Sequence, residues 1–265
     1  MWSIRDMKER GWSWVRTMFG PAYLACLISF ALNGLGNRQL NPLLSAGTAN
    51  SWMDRLQMVG PVQMFFLLLS FSAMAMLIGI GSLLFKFCIL NPVEAGVCRY
   101  FLLSREQGQP AELKTVFYAF TCGSYWNVIK ILFLRDLYTF LWTLLLVIPG
   151  IYKGLEYTMI PWLLAEQPDL DSREVFSRTR EMMDGNRMQV FLLSLSFIGW
   201  YLLAAIAAGL LGMPLKLLPF SEIVFLSAWL AGLMGLLVHT YENASMTELY
   251  LYLQSPVIVE ETGTF

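Results

Sequence analysis

The sequence predicts an all-α membrane protein: about six transmembrane helices arranged as three hairpins, with interfacial amphipathic helices on the cytoplasmic side. Three observations predict it. The 265 residues are 57% apolar and only 14% charged, too little polar surface to solvate a soluble domain of this length. Several apolar runs reach the ~18 residues needed to cross a bilayer. The basic residues also fall on alternate connecting segments. With the N-terminus inside, Arg5, Lys8, Arg10, Arg16, Arg99, Arg105, Lys114, Arg173, Arg178, Arg180 and Arg187 are cytoplasmic, against Arg38, Arg55 and Lys216 on the other side. That asymmetry orients a chain in a membrane and puts both termini inside. The same scatter excludes a nucleic-acid surface, which gathers basic residues on one face with aromatics between them.

Residues 3–17 mix Arg5, Lys8, Arg10 and Arg16 with Ile4, Met7, Trp12, Trp14 and Val15, a composition suited either to a lipid headgroup surface or to the charged flank of a first helix. The first span is expected at about 19–36, followed by a polar loop to about residue 58. The second, about 59–90, is long enough to tilt or project from the bilayer and ends at Asn91-Pro92. Residues 93–127 carry Glu94, Arg99, Arg105, Glu106, Glu112 and Lys114 and are expected to be cytoplasmic, with interfacial helices. The third span, about 128–148, ends at Ile148-Pro149-Gly150. Proline disfavours helix in the residue before it and glycine tolerates a reversal, so a tight hairpin is expected there. The fourth, 151–166, is shorter, about 24 Å at 1.5 Å per residue. From Asp171 the pattern changes: Asp171 with Glu174 forms a capping-box variant, and Val175, Phe176, Thr179, Met182 and Met183 share one helical face. Arg173, Arg178 and Arg180 fall outside that stripe, and Glu174 precedes Arg178 by the favourable four residues, which reads as an interfacial cytoplasmic helix ended by Gly185-Asn186. The fifth span is expected at 188–212 and the sixth at about 220–240. Residues 1–253 form one polytopic domain, and 254–265 a short flexible tail.

Glycines Gly11, Gly123 and Gly185 each stand between a polar segment and a span leaving the cytoplasm, a weak sign of three copies of one unit. Gly79, Gly81, Gly209 and Gly212 allow close helix approach. Cys26, Cys88, Cys98 and Cys122 match neither a zinc site nor a disulfide framework and are expected to be reduced and structural.

Charges inside a bilayer are costly and need partners. The candidate intramembrane polar or substrate-path residues are Lys86, Glu94, Arg135, Asp136, Lys153 and Glu156. Lys86 and Asp136 lie at comparable depth, so they, or Glu94 and Arg135, are expected to pair between helices. Lys153 and Glu156, three residues apart, can neutralise one another locally. His239, the single histidine, reads as a boundary residue bonded to a neighbour, because one histidine cannot build a multi-histidine metal site. With no Ser-His-Asp order, phosphate loop or glycine fingerprint, enzyme activity is disfavoured and no cofactor is expected.

The motifs IPGIYKGLEYTMIPWLLAEQPDL, EVFSRTREMMDGNRMQVF and LSLSFIGW, with NPVEAGVCRYFL and GSYWNVIKILFLRDLYTFLWTLLLVIPG upstream and YENASMTELYLYL downstream, occur in one order across about residues 86–253. In these the chain resembles a bacterial integral membrane family catalogued only as a domain of unknown function. The resemblance implies a multi-helix membrane domain with no established activity, in the bacterial cytoplasmic membrane. A more distant likeness is to other bacterial membrane domains with a Pro-Gly hairpin. The chain departs from the family pattern at Ser194, where an acidic residue is expected, at Asp184, usually basic, and in the long loop 37–58. The function expected is handling or transport of a small amphiphilic or peptide-like compound, the alternative a scaffold or partner-binding subunit of a membrane complex. The partners expected are membrane lipids, with a second copy or another membrane protein as further candidates.

Overall fold

The computed structural model describes residues 2–38, 61–212 and 222–262. Among these the chain is helical, with no strand. Three helical stretches are long and apolar enough to cross a membrane: Ile4–Asn33, Gln63–Gln107 and Arg187–Ala207. The loop expected at 37–58 falls almost wholly outside the described residues.

The first helix, α1 (Ile4–Arg38), bends at Met18, where φ is −123° and ψ 26°. Pro21 lies three residues on and has no N–H to offer the Thr17 carbonyl, which explains the bend. The bend falls where the surface segment was expected to give way to the first span. The surface segment is itself packed into the protein: Met7, Trp14 and Val15 are buried, and Trp2 Nε1 donates to Asn186 Oδ1 at 3.0 Å.

Helix α2 (Pro61–Phe85) exposes Phe65, Phe66, Leu68, Met76, Leu77 and Leu84, apolar residues on every side, as expected of a helix facing lipid. It does not stop at Asn91-Pro92. A π-helical turn, Lys86–Leu90, leads straight into α3 (Asn91–Gln107). Within the turn the Asn91 N–H bonds the Lys86 carbonyl, five residues back. Pro92 leaves the Cys88 carbonyl without its usual donor, and the Tyr125 hydroxyl supplies one at 2.7 Å. The expectation that 93–127 is interfacial also needs correction. Val93, Val97, Cys98, Tyr100, Phe101 and Leu102 of α3 are buried on several sides of the helix. A Cβ on Gly96 would sit 1.7 Å from the Val116 carbonyl oxygen, so the 3₁₀ segment Leu113–Phe117 can lie on α3 only because residue 96 is glycine.

After the short α4 (Tyr118–Thr121) comes α5 (Tyr125–Leu145), which carries Lys130, Arg135 and Asp136. The reversal after α5 is at Leu146, in extended conformation, not at Pro149-Gly150. Pro149 and Gly150 belong to the first turn of α6 (Val147–Glu156), where a proline loses little because its N–H would be unpaired anyway. The Leu146 N–H donates to the Trp142 carbonyl at 3.0 Å and its own carbonyl accepts from Gly150 at 3.2 Å, so the break leaves that peptide satisfied. Gly150 serves close approach: a Cβ there would meet Thr143 Oγ1 at 2.3 Å and its Cα at 2.6 Å.

The fourth expected span is divided. After α6 the chain turns at 157–159 into α7 (Ile160–Glu166), whose residues from Ile160 to Ala165 are all buried. At 10 residues α6 is about 15 Å long, half a hydrocarbon core. The division follows from Pro161, which starts α7 cheaply and cannot continue α6. Helix α8 (Ser172–Met183) is capped by Asp171, which accepts from the Arg173 N–H at 3.3 Å, and it buries Val175, Thr179, Met182 and Met183. Gly185, with φ of 72°, leads into α9 (Arg187–Gly212), and α10 runs from Glu222 to Thr262. Helix α10 runs through Pro256 to Thr262, into the stretch expected as a tail.

The core gathers where α3, α7, α8, the start of α9 and residues 244–253 of α10 meet. Away from it, α2, the α5–α6 tip and the outer face of α9 expose Leu144, Ile148, Leu202 and Leu203. Of the three glycines in the suspected repeat, Gly123 and Gly185 turn with positive φ, whereas Gly11 is inside α1, its Cβ position 2.9 Å from the Ser245 nitrogen of α10. Gly79 and Gly81 face open space rather than another helix; the surroundings of Gly209 and Gly212 lie outside the described residues. All four cysteines are free.

Candidate functional site

The intramembrane charges converge. Arg135 on α5 forms a two-pronged bond to Glu94 on α3, Nη1 to Oε1 at 3.0 Å and Nη2 to Oε2 at 3.1 Å. Its Nε also reaches Asp136 Oδ1 at 2.9 Å. Lys86 lies 3.3 Å from Asp136 Oδ2, and the Asn91 amide donates to that same oxygen at 3.1 Å. Both pairings anticipated from sequence therefore form, joined through Asp136 into one chain across α3, α5 and the π turn. The π turn adds a residue to the helix just before α3 and so helps aim Lys86, Asn91 and Glu94 toward α5.

This chain forms one wall of a cavity of about 1170 Å³. The wall continues through Thr139 and Thr143 of α5 and Ser82 at the end of α2. Facing it are Ser194 of α9 and His239, Glu242 and Asn243 of α10, with Trp162 and Met246 at the core side. The Tyr201 hydroxyl donates to Glu242 Oε2 at 2.6 Å. The Asn243 amide nitrogen donates to the His239 carbonyl at 3.0 Å, which fixes the amide's orientation, and lies 3.1 Å from His239 Nε2. The other ring nitrogen, Nδ1, lies 3.9 Å from Glu242 Oε2.

Sequence reasoning missed this second wall. His239, Glu242 and Asn243 stand at i, i+3 and i+4 on a largely apolar helix, a polar stripe that identifies one face. Ser194, noted only as a departure from a pattern, lines the same cavity.

Lys153 and Glu156 do something else. Glu156 is 1% exposed and accepts from Lys153 at 2.9 Å and from Arg180 of α8 at 2.8 Å. Neither lines the cavity; the cluster ties α8 down onto α6. Its hydrogen bond to Glu156, with that carboxylate's charge, holds the Arg180 guanidinium more firmly protonated than usual. Arg178 pairs with Glu174 at 2.7 Å and with the Gln167 side chain, while Arg173 contributes its backbone N–H to the cap. At the far end of the core, Glu166 of α7 accepts from the Tyr250 hydroxyl at 2.5 Å and from Gln254, locking α7 to α10.

Residues 143–252, which span the hairpin tip, α8 and the second cavity wall, match a family described as "Protein of unknown function (DUF975)". The resemblance seen in the motifs holds over that stretch. The match leaves out residues 86–142, and with them Lys86, Glu94, Arg135 and Asp136. The matching DUF975 segment thus contributes His239, Glu242, Asn243 and Ser194 but not the opposing charged chain. No curated protein and no solved structure matches the chain.

Proposed function

We propose that the protein is a non-enzymatic integral membrane protein of the bacterial cytoplasmic membrane that binds, and passes along or across the membrane, a small amphiphilic or peptide-like compound. The observation that carries this reading is the cavity of about 1170 Å³, with a neutralised charge chain on one wall, His239, Glu242 and Asn243 on another, and apolar side chains such as Leu83, Phe140 and Met246 between them. A volume of this kind suits a ligand with a polar head and an apolar body. In our reading both termini are cytoplasmic and three hairpins, α1–α2, α5–α6 and α9–α10, enter from that side. The middle hairpin lodges its apolar tip, from Phe140 to Ile151, in the hydrocarbon; its ends return to one face whether or not α6 reaches the other, so the orientation does not depend on its depth.

The test uses purified protein in liposomes with fluorescent derivatives of a fatty amine, a fatty acid and an acylated dipeptide. At least one is expected to bind saturably, and Gly79→Trp to remove that binding, because Gly79 lines the cavity with nothing within 4 Å of its Cβ position. Binding of all three indistinguishable from protein-free liposomes overturns the proposal. A second reading, a scaffold for another membrane protein, is favoured by α2, which leaves Phe66, Leu77 and Leu84 on different sides all uncovered. Cross-linking through α2 in native membranes that recovers only monomer counts against it.

A further inference from the structure

The charges that line the cavity do not cancel. Glu94, Asp136 and Glu242 face it with Lys86 and Arg135, three carboxylates to two cations among the described residues. Lys86 and Arg135 are both engaged by Glu94 and Asp136, so the first wall is neutral as a unit. Glu242 on the other wall has only the Tyr201 hydroxyl and the His239 ring beside it. A histidine, unlike Lys86 and Arg135, is not a permanent cation. The fixed charges on the lining therefore sum to one negative, and Glu242 carries it.

The hydroxyls tell the same story independently. Ser82, Thr139, Thr143 and Thr158 line the cavity, and each spends its proton on a backbone carbonyl four residues back: Ile78 at 2.8 Å, Arg135 at 2.9 Å, Thr139 at 2.7 Å and Gly154 at 3.0 Å. Toward the cavity they can offer only lone pairs. At these four positions a ligand meets acceptors, and Lys86 and Asn91, which do carry donors, are already engaged with Asp136.

We propose that the cavity selects amphiphiles with a single positively charged, hydrogen-donating head, an ammonium, seated against Glu242. This rests on the reading of the cavity as a binding site, and it names the ligand class. An anionic head would meet the Glu242 carboxylate, four hydroxyls with no proton to give, and two cations already held by Glu94 and Asp136. A neutral alcohol head would gain the hydroxyl acceptors but not the charge.

The experiment measures binding of octylammonium, octanol and octanesulfonate to the full chain in phosphatidylcholine nanodiscs by calorimetry, with empty discs subtracted. Octylammonium is expected to bind at least tenfold more tightly than the other two. Glu242→Gln, nearly the same shape, should weaken octylammonium at least tenfold, a floor for a contact ion pair at ~4 Å across an effective dielectric of ~20 after the cost of desolvating both charges, and leave octanol unchanged. His239→Lys, which places a fixed cation beside Glu242, should abolish the preference by a different route, so that misfolding of one variant does not decide the outcome. Octanesulfonate or octanol binding as tightly as octylammonium, or octylammonium binding unchanged in Glu242→Gln, overturns this inference and leaves the cavity's role standing. Failure of all three probes to bind overturns both.

Discussion

Removing Arg135 should destabilise the protein in a way that depends on whether Glu94 is still charged. The Arg135 side chain is 16% exposed and holds two carboxylates, Glu94 through both Nη atoms and Asp136 through Nε. Breaking a buried pair from one side costs roughly 3–5 kcal/mol, much of it from the charge left behind. Glu94 is 45% exposed, so water recovers part of that cost, while Asp136 keeps Lys86 and Asn91. The lower end, about 3 kcal/mol, is therefore expected for Arg135→Gln. Glu94→Gln should cost about 1 kcal/mol, since Arg135 retains Asp136. In the double variant no carboxylate is stranded by the loss of its fork, and the total should fall short of the sum by at least ~1 kcal/mol. Arg135→Lys keeps the charge and loses the planar fork, and should lie between wild type and Arg135→Gln. Reversible unfolding in mixed micelles, followed by tryptophan fluorescence, gives all four values. Additive costs, or an Arg135→Gln effect under ~0.5 kcal/mol, would show that the pair is incidental.

Three further outcomes follow from the geometry. Gly96→Ala drives a methyl into the Val116 carbonyl and should cost more than ~3 kcal/mol, read as loss of folded protein after solubilisation, whereas Gly79→Ala should be neutral or stabilising by up to ~1 kcal/mol. Tyr125→Phe removes the donor that Pro92 obliges the Cys88 carbonyl to find elsewhere, and should lower stability by about 1–2 kcal/mol in the same unfolding assay. Glu156→Gln cuts the tie between α6 and α8, and hydrogen exchange should quicken across residues 172–183 while residues 160–166 stay protected.

Local features were readable wherever a few neighbouring residues settle the matter. Helix α8 has the capping residue, buried stripe and glycine stop that its sequence declares, because a cap and a helical face are decided within one or two turns. The pairing of Lys86 with Asp136 and of Glu94 with Arg135 was also readable, since charges set in apolar helices must find partners and few were on offer. The stop at Asn91-Pro92 was not, because the donor that lets the helix continue is a hydroxyl from residue 125. Pro149-Gly150 marked the right neighbourhood for the wrong reason: the turn is at Leu146, and the glycine admits Thr143.

What the sequence determined alone is a helical chain with helices long and apolar enough to cross a membrane and charged residues in need of one another, because hydropathy and the cost of an unpaired charge act residue by residue. What only the tertiary structure decided is that α3 and α7 are buried in the protein core, and that His239, Glu242 and Asn243 line one cavity with Arg135 and Asp136. Those facts depend on which apolar face meets which. Lipid and protein interior are nearly equivalent surroundings for a leucine, so hydrophobicity cannot tell them apart; a missing Cβ at Gly96 and a borrowed proton at Cys88 can.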